Sequence, residues 1–380
     1  MWKKSSLLLL ISLFGTCLGR SVKGTNDVKR LRQDKRWFPI SPKVVIFSMY
    51  ADENVWVEPF ELYANITIPG LSPLFPQVQC DWKGEICHIT TGEAEINAAC
   101  SVSALLLSPD FDLTSTYFLI AGIAGVNPFT GTLGSVGLAR WAVQVALAYE
   151  VDSRQIPSNW TTGYWLEGTE EPGQAPAEIY GSEVFELNTN LRDAIMPYLD
   201  GVKLNDTEAA MTYRANYDYA PANQPPQVFF GDVATSDVYF AGSLLGETFG
   251  NITKLWTNDT GVYALTAQED NASLEAMVRA SKAGLMDISR VILMRTASDF
   301  DRAPHNQETV YSFEYNQGGY EPALANILIA GQPIVEGIIE HWEHKFKKGV
   351  KPQDGWLYNS DVLHTLTTRK RKRNFGRFRG

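Results

Sequence analysis

The residues best suited to chemistry lie in five short polar segments, each following an apolar run. Ser48 to Asn54 carries Asp52 and Glu53, and Ala121 to Asn127 carries Gly122, Gly125 and Asn127. Gly231 to Asp237 carries Asp232, Ser236 and Asp237. Gln268 to Asn271 carries Glu269, Asp270 and Asn271, with Glu275 one turn further on, and Arg295 to Asp299 carries Ser298. Carboxylates, hydroxyls and amides around one arginine can hold a small polar ligand and exchange protons with it, and glycines let backbone approach it closely. Other chemistries lack their residues. No Walker loop, G-x-S-x-G or H-E-x-x-H motif occurs, and His341 and His344 flank Trp342 and Glu343 at what reads as an amphipathic helix end. Cys80, Cys87 and Cys100 have no paired C-x-x-C spacing and only His88 beside them, so no metal site is expected; at most one disulfide joins them.

The elements that must position these segments are the apolar runs before them: Lys43 to Met49, Tyr117 to Ala121, Gln227 to Gly231, Val262 to Thr266 and Val291 to Arg295. Together with Trp141 to Val151 they are short, β-branched or aromatic, and several are nearly all apolar, as strands covered on both faces must be. Helical spacing recurs from Ser273 to Leu285 and from Ala323 to Phe346, with an interruption near Pro333; Gly168 to Pro176 reads as a surface loop. The fold class is therefore α/β, a single domain with a central mixed, mostly parallel sheet flanked by helices. In such sheets ligands lie outside the carboxyl ends of the strands, so the five segments converge on one edge.

In order and spacing, Ile120 to Gly125 followed by Leu133 to Gly137, Gly231 and Asp232 with Ser236 and Asp237, Glu269 to Asn271, and Arg295 to Asp299 resemble a known family. The chain is similar to the purine nucleoside permeases of fungi and bacteria and, more distantly, to the nucleoside phosphorylase and methylthioadenosine nucleosidase superfamily. The resemblance runs from about Lys43 to Gly349. It implies a phosphorylase-like domain, purine nucleosides as ligands, no cofactor, and cleavage of an N-glycosidic bond, with the superfamily's catalytic aspartate carried onto Asp299. A departing purine gathers negative charge, and a protonated carboxyl near N7 neutralises it as a general acid, which requires a raised pKa. Where the family pattern has Glu-x-Glu, this chain has Glu269, Asp270 and Asn271; Asn271 or Glu275 would grip a ribose hydroxyl. Ser236 and Asp237 are base-recognition candidates, and Tyr164 and Trp165 are candidates for stacking on the base, with a core role as the alternative. Relatives are often oligomers, so a homo-oligomer is a further expectation by analogy.

Asp52 and Glu53 follow the first strand, where a phosphorylase would need anion-binding groups, and they would repel phosphate. They can instead orient and deprotonate a water, with Arg295 as electrostatic partner. Hydrolysis is thus favoured, and phosphorolysis, with phosphate as co-substrate, is the second reading. A nucleoside-binding protein that delivers its ligand for uptake is the competing class, and a secreted protein that keeps only the fold is a third.

The chain opens with Lys3, Lys4 and an apolar stretch from Leu7 to Phe14, a signal-peptide layout over residues 1–19. A polar basic arm or removable pro-segment over 20–36 ends on Lys35 and Arg36, the domain occupies 37–365, and 366–380 is a basic tail. Six Asn-x-Ser/Thr sequons, at Asn65, Asn159, Asn205, Asn251, Asn258 and Asn271, fit a secreted or cell-surface glycoprotein. A net charge of −10 despite a strongly basic tail leaves the body more acidic still and disfavours nucleic acid as its partner, and no window of uncharged apolar residues after the leader is long enough to span a membrane.

Overall fold

The computed structural model describes residues 38–356; the leader, arm and basic tail expected from the sequence, and the last residues of the expected domain, lie outside them. The chain begins with β1 (Val44–Ser48), β2 (Ala64–Thr67), β3 (Gln77–Cys80), β4 (Ile86–Thr90), α1 (Ala94–Leu106), β5 (Tyr117–Val126), β6 (Val136–Leu138) and β7 (Trp141–Gln144). A two-stranded ribbon of β8 (Tyr149–Glu150) and β9 (Tyr164–Trp165) follows, then β10 (Val184–Glu186), α2 (Thr189–Ile195), α3 (Glu208–Arg214), β11 (Val228–Phe230) and β12 (Asp232–Thr235). The chain closes with α4 (Ser243–Thr257), β13 (Tyr263–Ala267), α5 (Asp270–Lys282), β14 (Val291–Phe300), α6 (Thr309–Glu314) and α7 (Tyr320–Glu340).

Among the described residues, one mixed sheet of twelve strands organises the fold. Its centre is parallel, with β4, β1, β5 and β14 side by side. Beyond β5 the chain turns: β13 meets the end of β5 antiparallel, then runs parallel to β12, which runs parallel to β7. Alternate residues of the central strands face opposite layers. Val45 and Phe47 pack with Phe118, Ile120, Val291 and Leu293 under α1 and α5, whereas Val44 and Ile46 pack with Leu119, Ile292 and Met294 under Ile327, Ala330 and Ile334 of α7. Strands covered on both faces explain the nearly unbroken apolar runs. At the β2–β3–β4 edge, Cys80 and Cys87 sit directly opposite each other and form a disulfide, leaving Cys100 free and exposed.

The α/β architecture is as expected, but several boundaries move. β5 and β14 do not end at Ala121 and Arg295; they pair along their whole length, so Gly122, Gly125, Arg295 and Ser298 are strand residues. Gln227 to Gly231 gives only the peripheral β11, which pairs with β6, and the central strand that delivers Ser236 is β12. Asp232, part of the segment before Ser236, accepts the backbone N–H groups of Arg140, Trp141 and Val262 at 2.8–2.9 Å and ties β12 to its neighbours. Only the first part of Trp141 to Val151 enters the sheet, because the Gln144 side chain accepts Ala146 N–H at 2.7 Å and turns the chain away. α7 passes through Pro333 without a break and a π-helical turn, Trp342–Phe346, follows it. By length and composition α7 could cross a membrane, yet 56% of that stretch is buried against the sheet, so it reads here as a core helix.

Candidate functional site

A cavity of about 330 Å³ opens where β1, β5, β12, β13 and β14 end, closed on the far side by Phe313 and Tyr320. Glu53 reaches it from the 3-10 turn Ala51–Glu53 after β1. That turn is tied down from below: Ser48 Oγ donates to Glu53 O, Trp56 Nε1 donates to Ser48 Oγ, and His88 Nε2 lies 3.0 Å from the same hydroxyl. The Glu53 carboxylate accepts Met49 N–H and Ile123 N–H, each at 2.7 Å. Burial pushes its pKa up to about 7, against the opposing pull of Arg295 and the two N–H groups. Gly122 is required beside it, since a Cβ there would stand 2.5 Å from Glu53 Oε1 and 2.7 Å from Arg295 Nη1.

Arg295 projects from β14 and is fully buried. Its Nε donates to Asp270 Oδ2 at 3.2 Å, Nη2 donates to both Asp270 Oδ1 and Glu269 Oε2, and Nη1 donates to Ile123 O at 3.1 Å. Burial opposes its charge, but the two carboxylates more than offset that and raise its pKa. Arg295 is the basic residue in the cavity wall, and its charge is spoken for. Glu269 also accepts Ala94 N–H at the start of α1, and burial raises its pKa despite the arginine.

Asp299 enters where the β14–β5 register slips between Ala297 and Asp299, a β-bulge at Ser298. Bulges re-aim side chains, and this one turns Asp299 out of the strand alternation and into the cavity wall. Ser298 Oγ lies 2.5 Å from Asp299 Oδ1 and 3.0 Å from Ala124 O, while Oδ2 has no partner among the described residues. Asp299 is solvent-exposed through the open side of the cavity, yet the protein packed around its carboxyl raises its pKa, with Asp301 adding to the shift. Gly125 lies alongside, its N–H donating to Thr266 Oγ1 at 2.9 Å.

Of the residues expected from sequence, the cavity thus gathers Glu53, Gly125, Ser236, Glu269, Arg295, Ser298 and Asp299, with Gly122 pressed against Glu53. The rest fall elsewhere. Asp52 is exposed at the rim and accepts from Tyr320 Oη at 2.7 Å, so it is no base for a buried water. Asp270 is consumed by Arg295. Asn127 holds a turn, its Nδ2 donating to Tyr263 O and its Oδ1 accepting Phe129 N–H. Asp237, Asn271 and Glu275 line a separate cavity of about 450 Å³ behind the 236–238 segment. There Asp237 accepts Glu95 N–H in the first turn of α1, Glu275 pairs with Arg279, and Asn271 Nδ2 donates to Ser182 O and Glu183 O. The Asn271 amide is buried with both hydrogens committed, which leaves no room for a glycan. Tyr164 packs on Phe249, and Trp165 packs on Tyr149 and Trp160, away from the site.

Sequence reasoning missed the aromatic wall of Tyr50, Tyr239, Phe240, Phe313 and Tyr320, along with Met49, Glu93 and Thr266. Tyr50 and Met49 lie within a segment already singled out, so their neighbourhood was a usable signal; residues 238–240 and 313 carry no periodicity that marks them. Tyr239 stands close enough to Glu93, Glu269, Asp299 and Glu53 for all four to raise its pKa beyond what burial does. Among the described residues no three His, Cys, Asp or Glu side chains are arranged to hold a metal ion. The cavity is a protonatable, acidic chamber with an aromatic mouth.

Residues 41–351 match the family model described as purine nucleoside permease. A purine nucleoside permease of Candida albicans is 44% identical over 358 residues, covering 92% of this chain and 88% of that protein. A probable purine nucleoside permease of Schizosaccharomyces pombe is 44% identical over 316 residues, covering 80% of this chain and 90% of that one. Among solved structures, a 5′-methylthioadenosine/S-adenosylhomocysteine nucleosidase from Colwellia psychrerythraea 34H, in complex with adenine, is similar at 13% identity and a TM-score of 0.46, covering 79% of this chain and 96% of that one. The match over almost the whole described chain, and the identity to these two relatives, place the protein in the purine nucleoside permease family.

Proposed function

We propose that this protein hydrolyses the N-glycosidic bond of purine nucleosides. The observation that carries the reading is that Glu53 and Asp299, two carboxyls with raised pKa values, line one cavity whose basic residue is already neutralised. Glu53, titrating near neutrality, takes a proton from water as its oxygen bonds to C1′. The C1′–N9 bond breaks, its electron pair moves into the purine, and protonated Asp299 delivers its proton to N7. The products are free base and ribose. Positive charge that develops on the sugar is stabilised by Glu53 and Glu269.

The same charges favour water over phosphate. An oxyanion would meet Glu53, Glu93, Glu269 and Asp299, and Arg295 has no uncommitted charge to offer. Passage through the secretory pathway belongs to the same reading: the leader-like start, the Cys80–Cys87 disulfide and five sequon asparagines exposed on the surface support it.

The test is incubation of the purified protein with guanosine, inosine and adenosine, with and without phosphate, followed by chromatography of base and sugar. Base and free ribose without phosphate are expected. Ribose 1-phosphate formed only with phosphate would overturn the anion argument, and tight nucleoside binding without turnover would move the protein to the carrier class.

A further inference from the structure

Two tyrosine hydroxyls at the Glu53 end of the cavity form a chain whose proton direction is fixed. Tyr320 Oη donates to Asp52 Oδ2 at 2.7 Å, and Tyr50 Oη donates to Tyr320 Oη at 3.1 Å. Asp52 is exposed, and an ionised carboxylate only accepts, so both hydroxyl protons run toward the rim. Burial foremost raises the pKa of both tyrosines, and the charges of Asp52 and Glu53 raise them further, so neither gives up its proton at neutral pH. What these two side chains still offer the cavity is oxygen lone pairs and no hydrogen.

That end of the cavity therefore needs a ligand group that brings its own hydrogen. Resting on the hydrolase reading above, with the base at Asp299 and the attacked carbon over Glu53, the proposal turns the sugar's exocyclic carbon toward the tyrosines and its 2′- and 3′-hydroxyls toward Glu269. We infer that Tyr50, Tyr320 and Asp52 form a donor-selective subsite that takes the free 5′-hydroxyl of a purine nucleoside. A 5′-deoxy or 5′-alkylthio nucleoside brings no donor and leaves acceptors unpaired. A 5′-phosphate brings negative charge against Asp52 and Glu53. Substrates must then reach this protein already dephosphorylated, so phosphomonoester hydrolysis precedes its step.

The experiment compares adenosine, 5′-deoxyadenosine and adenosine 5′-phosphate on the wild-type protein, Tyr320→Phe and Asp52→Asn, reading kcat/KM by base release and Kd by titration calorimetry. Wild type is expected to prefer adenosine to 5′-deoxyadenosine by about tenfold and to reject the phosphate. Tyr320→Phe removes one of the two acceptors and cuts Tyr50 off from Asp52, so the preference for adenosine over 5′-deoxyadenosine falls to within about twofold. Asp52→Asn removes the charge and the fixed direction, and raises the affinity for the phosphate. Equal handling of both nucleosides by wild type, or an equal loss for both in Tyr320→Phe, overturns the subsite. If no nucleoside is cleaved, the hydrolase reading falls and the Kd ratios alone decide the subsite; if none binds, both fall.

Discussion

Two cavities lie back to back across the 236–238 segment, both lined by acidic residues, and the proposed reaction uses only one of them. In the larger, the acids and the amide hold the fold: Glu95 meets Gln144, Asp237 accepts a helix N–H, Glu275 pairs with Arg279, and Asn271 Nδ2 donates to two carbonyls while its Oδ1 is buried without a partner. In the smaller, Asp299 keeps one oxygen free, and Glu53 titrates near neutrality with both oxygens still able to accept. Residue type is shared by both. What distinguishes the smaller cavity in the proposed reading is that two carboxyls of raised pKa, Glu53 and Asp299, face one space with oxygens left to react.

The strongest way to break this contrast is to make the same change on each side. Asp299→Asn is expected to lower the rate of base release by about 1,000-fold or more, because the amide cannot protonate the departing purine. Asp237→Asn should stay within about twofold, since an amide oxygen can still accept Glu95 N–H. Single-turnover assays on inosine would read both. Comparable losses from the two substitutions would mean that the second cavity belongs to the site.

Glu53→Gln tests the smaller cavity from its other end. The expected loss is about 100-fold, and the wild-type rise of kcat/KM through pH about 7, where the base ionises, should vanish. Stability carries the same signature. The folded pKa of Glu53 lies above its ordinary value of 4.5, so between 4.5 and about 7 the folded chain holds a proton that the unfolded chain has released. Stability therefore falls as pH rises through that window, and the variant should lessen the slope by up to about 1.4 kcal/mol per pH unit. The slope is the readout because a glutamine can accept only one of the two N–H groups of Met49 and Ile123. Denaturant titrations at several pH values would show it, and an unchanged slope would mean that Glu53 ionises normally.

The sequence made the acidic strand ends visible, but it could not say which way each carboxylate points. Glycines at 122 and 125 read as the end of a strand because glycine weakens strands; here they make room for Glu53, Arg295 and Thr266 within an unbroken one. The bulge that aims Asp299 depends on the register between two distant strands, which no local pattern encodes. Asp270 and Asn271 differ by one position on a helix, about 100° of rotation, and that suffices to send one side chain to Arg295 and the other to residues 182 and 183.

The smallest expected effect concerns the floor of the second cavity. Five sequon asparagines, Asn65, Asn159, Asn205, Asn251 and Asn258, are exposed, whereas Asn271 is buried with its amide donating at 2.8 and 3.1 Å. A glycan on that nitrogen would break both bonds and occupy the space between α1 and α5, so a folded molecule that has passed through a eukaryotic secretory pathway should carry none there. Asn→Gln at each position, compared by electrophoresis before and after enzymatic deglycosylation, should leave the glycan mass unchanged for Asn271 and reduce it at whichever exposed positions are used. Peptide mass spectrometry that found a sugar on Asn271 would require the first turn of α5 to be open in the mature protein. Glu269 and Asp270 flank the start of that turn, so Arg295 would lose the partners that neutralise it and the cavity would lose its bar to phosphate.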